Sequence, residues 1–321
     1  MRRVAIINQK GGVGKTTTTV NVGAALARMG HRVLVLDLDP QCNLTVHLDF
    51  DPMNCSPSLY ELFQGKATLG QVVRASSEPR LFVAPASVDM AGMELELVNT
   101  VGREVVLRDA LETAVEAYGG SDPWDWVLID CPPSLGLLSL NALVACDEVF
   151  VPIQAEFFAL QGLGKLLDIV QLVRRRLNPE LRISAMVSTR HDPQTKLSKA
   201  VIDDIKSHFG DAFCETVIRR NVKLAEAPSH GKTIFQYDAI CAGAQDYLAL
   251  AQELLERKDK APSPVVGELP QSPSPTSQQS SEPDASPSTD APESDSSWDA
   301  DEASTEAGEA GASTSIGDPE R

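Results

Sequence analysis

The segment Lys10-Gly11-Gly12-Val13-Gly14-Lys15-Thr16-Thr17 constrains the fold more than any other part of the chain. It follows a short apolar run, residues 4–7, and opens a helical pattern over residues 16–29. A strand, a glycine loop and a helix in that order point backbone N–H groups and the positive end of a helix at one place, where an anion is favoured. The run K-G-G-V-G-K-T is a relaxed form of the phosphate-binding pattern G-x-x-x-x-G-K-[ST], with a second lysine, Lys10, at its head. On that pattern the backbone of Gly11, Gly12, Val13 and Gly14 cradles phosphate. Lys15 neutralises the β and γ phosphates, and the Thr16 hydroxyl binds Mg²⁺.

The rest of the apolar pattern is consistent with such a start. Short runs read as strands at 32–36, 81–84, 126–129, 148–153, 182–187 and 213–218. Helical patterns occupy 94–118, 162–177, 196–209 and 244–258. Strands alternating with helices imply βαβ units, hence an α/β fold with a mainly parallel, twisted sheet flanked by helices. Ligands of such sheets sit at the carboxyl ends of the strands, which is where the motifs fall. The helix at 244–258 carries an apolar stripe of Tyr247, Leu250, Ala251, Leu254 and Leu255, expected to face the core rather than a membrane.

Composition divides the chain at about residue 261. The last sixty residues are mostly Ser, Pro, Ala, Asp and Glu, with thirteen acids and one base. Too few apolar groups remain there to offset the entropy of ordering, so 262–321 is expected to be a disordered acidic tail after a globular phosphate-binding domain over 1–261. The net charge of −17 falls to about −5 without the tail, so the acidity does not argue against a nucleic-acid partner. The six cysteines form no CxxC pair, and no targeting segment is expected ahead of the first strand. Reduced thiols in a cytoplasm are the expectation.

The head lysine points to a family. A lysine at that position, here Lys10, is the signature of the deviant Walker A group, and the chain resembles the ParA/Soj/MinD ATPases. Leu36-Asp37-Leu38-Asp39-Pro40-Gln41 is similar to the family's first switch, and Leu128-Ile129-Asp130-Cys131-Pro132-Pro133-Ser134 to its Walker B strand and second switch. Residues 149–156 and 221–229 match the chromosomal ParA/Soj branch most closely. The resemblance implies a homodimer formed with ATP and Mg²⁺, in which Lys10 reaches the partner's nucleotide. It implies catalytic roles for Lys10, Lys15 and Asp39, with Asp39 positioning the attacking water, and a phosphate site extending to Thr17. Asp130 would hold Mg²⁺ through water, Asp37 would support the metal shell or hold its loop, and Asn221 would contact adenine.

The same resemblance implies slow ATP hydrolysis stimulated by a ParB-type centromere-binding partner. It further implies non-specific double-stranded DNA binding at the nucleoid and a role in chromosome or plasmid partition; the alternative is a MinD-like or orphan positioning ATPase. The DNA-binding candidates are Lys196, Lys199, Arg219, Arg220 and Lys223, with Lys206 on the same helix face as Lys196 and Lys199. Three positions depart from the family pattern: Cys42 where Gly is frequent, Gln194 where an arginine is, and Arg219 where Pro is.

Overall fold

In the computed structural model, residues 1–156, 159–191 and 196–257 are described, with side chains at all of these except 159–161 and 196–198. The expected disordered tail, Gln194 and the side chain of Lys196 lie outside the described residues.

The elements run β1 (Arg2–Ile6), α1 (Lys15–Arg28), β2 (Val33–Asp37), α2 (Asn43–His47), α3 (Leu59–Phe63), α4 (Leu69–Val72), β3 (Arg74–Ala75), β4 (Leu81–Ala84), α5 (Met90–Leu97), α6 (Val106–Ala117), β5 (Trp126–Asp130), α7 (Leu137–Ala145), β6 (Glu148–Ile153), α8 (Ala159–Arg176), β7 (Arg182–Ser188), α9 (Lys196–Phe209), α10 (Val222–Glu226), α11 (Ile234–Tyr237) and α12 (Ala242–Glu256). The strands form one sheet in the order β3-β4-β2-β5-β1-β6-β7. Every pairing is parallel except that of the two-residue edge strand β3 with β4.

The central strands are buried on both faces, as a parallel sheet covered by helices requires. Alternation with period two sends their side chains to two separate cores. Ala5, Ile7, Val127 and Ile129 face one, with α7 and α8. Val4, Ile6, Trp126 and Leu128 face the other, with α1 and α12. The helices after β1 and after β5 therefore leave to opposite faces, and a crevice opens at the carboxyl ends of those neighbouring strands. The stripe of α12 lies in the second core: Tyr247, Leu250, Ala251 and Leu254 are buried, and Leu255 packs against them. No helix among the described residues is long and apolar enough to cross a membrane.

Two expectations fail for identifiable reasons. The helix expected over 94–118 is two helices, α5 and α6, separated by a turn in which Gly102 adopts φ 72°. The strand expected over 213–218 is an extended segment that makes only isolated bridges, Met186 with Phe213 and His191 with Arg219. Its Cys214 and Ile218 N–H groups do reach β7, at 2.7 Å and 2.8 Å. Between them, the Glu215 and Thr216 N–H groups donate instead to the Glu253 carboxylate on α12, both at 2.9 Å, so no continuous ladder forms. Helix α7 shows no clear helical period in the sequence because it is apolar almost all round.

Helix α1 approaches the sheet at Gly23. A Cβ there would stand 3.0 Å from Val35 Cγ1 and 3.2 Å from Leu81 Cδ1. Gly23→Val is expected to cost roughly 1–3 kcal/mol by overpacking. The measurement is a lower urea midpoint at unchanged slope.

Candidate functional site

The loop between β1 and α1 is pinned on both shoulders. Asn8 donates through Nδ2 to the Pro152 carbonyl at 2.8 Å, and its Oδ1 accepts the Lys10 N–H at 3.0 Å. On the other side the Thr189 hydroxyl donates to the Val13 carbonyl at 2.7 Å. Between these anchors Gly12 and Gly14 take φ 74° and 85°, a region that only glycine enters without strain. Cβ atoms built at Gly11, Gly12 and Gly14 would meet nothing within 4 Å, so the loop encloses open space beside its backbone. Gly14 is the N-cap of α1, and no acidic residue occupies the first turn of that helix.

Lys15 is buried, with Nζ 3.5 Å from the Lys10 carbonyl. Burial lowers its pKa, while Asp130 and then Asp39 pull it back up. A desolvated ammonium at a concave loop of N–H groups fits a polyphosphate. Lys10 at the loop head is ion-paired with Glu156. Thr17 lies on the first turn of α1, and its carbonyl accepts from Asn21 Nδ2 at 2.8 Å.

Opposite the loop stand three carboxylates. The Thr16 hydroxyl donates to Asp130 Oδ2 at 2.6 Å, and Thr19 reaches the other oxygen at 3.4 Å. Asp37 is level with Asp130 on the adjoining strand. Its Oδ2 accepts the Thr45 N–H at 2.8 Å and the Thr45 hydroxyl at 2.7 Å, and its Oδ1 accepts the Asp39 N–H at 3.2 Å. Asp37 thus fastens the first switch to α2. Asp39 itself accepts the Gln41 N–H at 3.0 Å. Burial, then the charge of Asp37, raises the Asp130 pKa well above the ordinary carboxylate range. Burial likewise pushes Asp37 up to about 6, against its Thr45 hydrogen bonds. Two desolvated carboxylates beside a threonine hydroxyl suit a hard cation, so the donors present fit Mg²⁺.

The C-terminal candidates are placed less uniformly. Asn221 is the N-cap of α10, its Oδ1 accepting the Lys223 N–H at 2.8 Å. Arg220 is exposed, and its N–H donates to the His191 carbonyl. Lys199 is exposed on α9. Lys223 pairs with Glu226 at 3.1 Å, and Lys206 with Glu215 at 3.0 Å. Arg219 differs from the expectation: its guanidinium forks onto Asp246, with Nη2 2.6 Å from Oδ1 and Nε 3.0 Å from both oxygens. A guanidinium so engaged is a directional structural tie, and its side chain remains half-exposed.

Thr19, Thr45, Thr189 and Asp246 also build this region without any local mark in the sequence, and Glu156, the end of the 149–156 motif, takes a role there that the motif does not assign. Thr189 is 176 residues from its partner Val13. Only a rule that polar residues at sheet ends seek loop carbonyls could have suggested it.

Cys42 occupies a left-handed position, φ 55°, at the start of α2. The departure from glycine therefore falls where a side chain is strained. Cys42→Gly is expected to be about 1 kcal/mol more stable than Cys42→Ala, since both lose the thiol but only one relieves the backbone. Thermal or urea unfolding of the pair measures it.

Asp37 supplies a pH test. Its folded pKa, about 6, lies above its ordinary 3.8, so the folded state holds the proton more tightly. Its contribution therefore weakens folding as pH rises from about 4 to 6. The stability of Asp37→Asn minus that of wild type should shift in the variant's favour across that window. Urea midpoints at pH 4 and pH 7 without nucleotide or metal provide the readout.

The comparisons with known proteins agree with this geometry. A family model described as an AAA domain matches residues 1–183. Chromosome partitioning protein ParA of Caulobacter vibrioides is 48% identical over 258 residues, covering 80% of this chain and 95% of that protein. Sporulation initiation inhibitor protein Soj of Bacillus subtilis is 47% identical, covering 78% and 97%. Among solved structures, cobyrinic acid a,c-diamide synthase from Mycobacterium smegmatis with a bound ATP analogue and magnesium superposes with a TM-score of 0.70 at 34% identity, over 83% of this chain and 99% of that one. With the glycine loop, both switch acids and the α10 segment brought to one end of the sheet, the chain belongs to the ParA/Soj family of partitioning ATPases.

Proposed function

We propose that this chain is an ATP-dependent dimerising ATPase that binds DNA without sequence preference and, with a ParB-type partner, drives partition of a chromosome or plasmid. The observation that carries the reading is the convergence of Lys15, Thr16, Asp39 and Asp130 on one crevice beneath a loop headed by Lys10. The family membership and the ATP analogue and magnesium in the Mycobacterium smegmatis structure support ATP and Mg²⁺ as its cofactors.

In this reading the backbone of Gly11 to Thr17 and the Lys15 ammonium bind the phosphates. Thr16 would hold Mg²⁺ directly, and Asp130 would hold it through water. The metal, when bound, neutralises charge on the β and γ phosphates. Asp39 orients the attacking water. Asp37, committed to Thr45, keeps the Asp39 loop in place. Lys10 exchanges Glu156 for the nucleotide of a second copy, which makes dimerisation depend on ATP. Asn221 contacts the base.

DNA contact falls to Arg220, Lys199 and Lys196, with Lys223 able to join by releasing Glu226. Arg219, also tied to Asp246, stays among the candidates because half of its side chain is exposed. The burial of the α12 stripe in the second core favours the DNA-bound role over a MinD-like one that would use that helix on a membrane. Such a protein works in the cytoplasm, on the nucleoid.

Lys15→Ala is expected to lose nucleotide binding. Asp39→Ala is expected to keep ATP and remain as a DNA-bound dimer with hydrolysis reduced about a hundredfold or more. The deciding measurement is ATPase rate with DNA, with a ParB-type protein, and with both. Stimulation by the pair supports the reading; its absence favours an orphan positioning role. Normal hydrolysis by Asp39→Ala would remove Asp39 from its position. Filter binding at rising salt tests the basic face, because contacts that release counterions weaken steeply.

A further inference from the structure

Two consecutive residues of α12 hold the two halves of the candidate nucleotide site. The Tyr247 hydroxyl lies 3.1 Å from the Thr18 hydroxyl, on the first turn of the phosphate helix α1, and both groups are buried. Asp246, one residue earlier and also buried, takes the Arg219 guanidinium in the fork described above and accepts the Arg219 N–H at 2.9 Å through Oδ2. Two residues after Arg219 comes Asn221. The backbone between them is fixed on its other side by the bond from the Arg220 N–H to the His191 carbonyl.

The Arg219–Asp246 tie is stronger than position alone requires. A planar fork on a carboxylate fixes direction as well as distance. A further bond, from the backbone N–H, fixes the peptide itself. Asp246 has no other role in view: it lies within the helix rather than at its N-cap, which is Cys241. Nearby, α12 passes so close to α10 that a Cβ on Gly243 would stand 2.7 Å from Leu224 Cγ. Helix α12 is therefore packed against the base-side segment and hydrogen-bonded to the phosphate-side helix at adjoining residues.

We infer that Asp246 and Arg219 are positioning residues for nucleotide selection: through them α12 sets the distance between the phosphate loop and Asn221, and so the fit of the adenine base. This rests on the proposed contact of Asn221 with the base. Loosening the tie leaves the phosphate loop, Asp39 and Asp130 untouched, so it should weaken recognition of the base without slowing the chemical step.

The test compares steady-state ATP and GTP hydrolysis by the full chain with DNA and its partner protein present. Asp246→Asn should raise the KM for ATP about tenfold, reduce the ATP-over-GTP preference similarly, and change kcat less than twofold. Arg219→Lys, which keeps the charge but not the fork, should fall between wild type and Arg219→Ala. If Asp246→Asn lowers thermal stability while the ATP-over-GTP preference stays at the wild-type value, the tie is merely structural and the inference is wrong. Asn221→Ala separates the two layers. If it erodes the preference and Asp246→Asn does not, only the positioning role fails. If it leaves the preference intact, the base contact itself fails and the inference falls with it.

Discussion

The parallel pairing of β5 between β1 and β2 is the arrangement on which the candidate site depends. Its register sets Asp130 level with Ile6 on one side and with Asp37 on the other. The loop after β1 can then lay Thr16 against Asp130, and the loop after β2 can bring Asp39 to the same crevice. All five residues of β5 are buried, so the acid at its end has no solvent to stabilise its charge. The charge of Asp130, and then that of Asp39, is countered from nearby by the Lys15 ammonium, itself held out of water. Burial of all three groups is costly to the folded chain, and a cation with a polyphosphate is the kind of ligand that relieves it.

The same carboxyl edge explains why distant parts of the chain serve one place. Thr189 after β7, Asn8 after β1 and Glu156 after β6 all end on the phosphate loop because their strands run parallel and stop at one level. The first switch is tied down through Thr45, whose hydroxyl also accepts the Ala86 N–H at 2.9 Å after β4. His47, on the same short helix, meets the Lys232 carbonyl at 3.2 Å and is kept neutral by burial, its pKa pushed down to about 4. The switch is therefore bounded on one side by the sheet and on the other by the segment that follows Asn221.

Strong local signals survived folding unchanged. The glycine loop, the strand at 81–84, the strand at 148–153 and the helix at 196–209 lie where the apolar period and the punctuation put them. Elements whose fate is decided by competition did not. Residues 213–218 have the apolar, β-branched character of a strand, yet Glu253 takes two of the N–H groups that a ladder would need. Residues 94–118 have a helical period throughout, yet the turn at Gly102 divides them.

By itself the sequence determined the phosphate loop, the strand-end position of Asp37, Asp39 and Asp130, and the family, because these depend on residue types at short, fixed spacings. Tertiary structure alone decided what several of those residues do. Asp37 holds Thr45 because β2 and α2 fold back on one another. Arg219, which read as a surface cation, is bound to Asp246 because α12 returns across the sheet 27 residues later. A charge carries no local mark of its partner; only the packing that brings the partner within hydrogen-bond reach assigns it one.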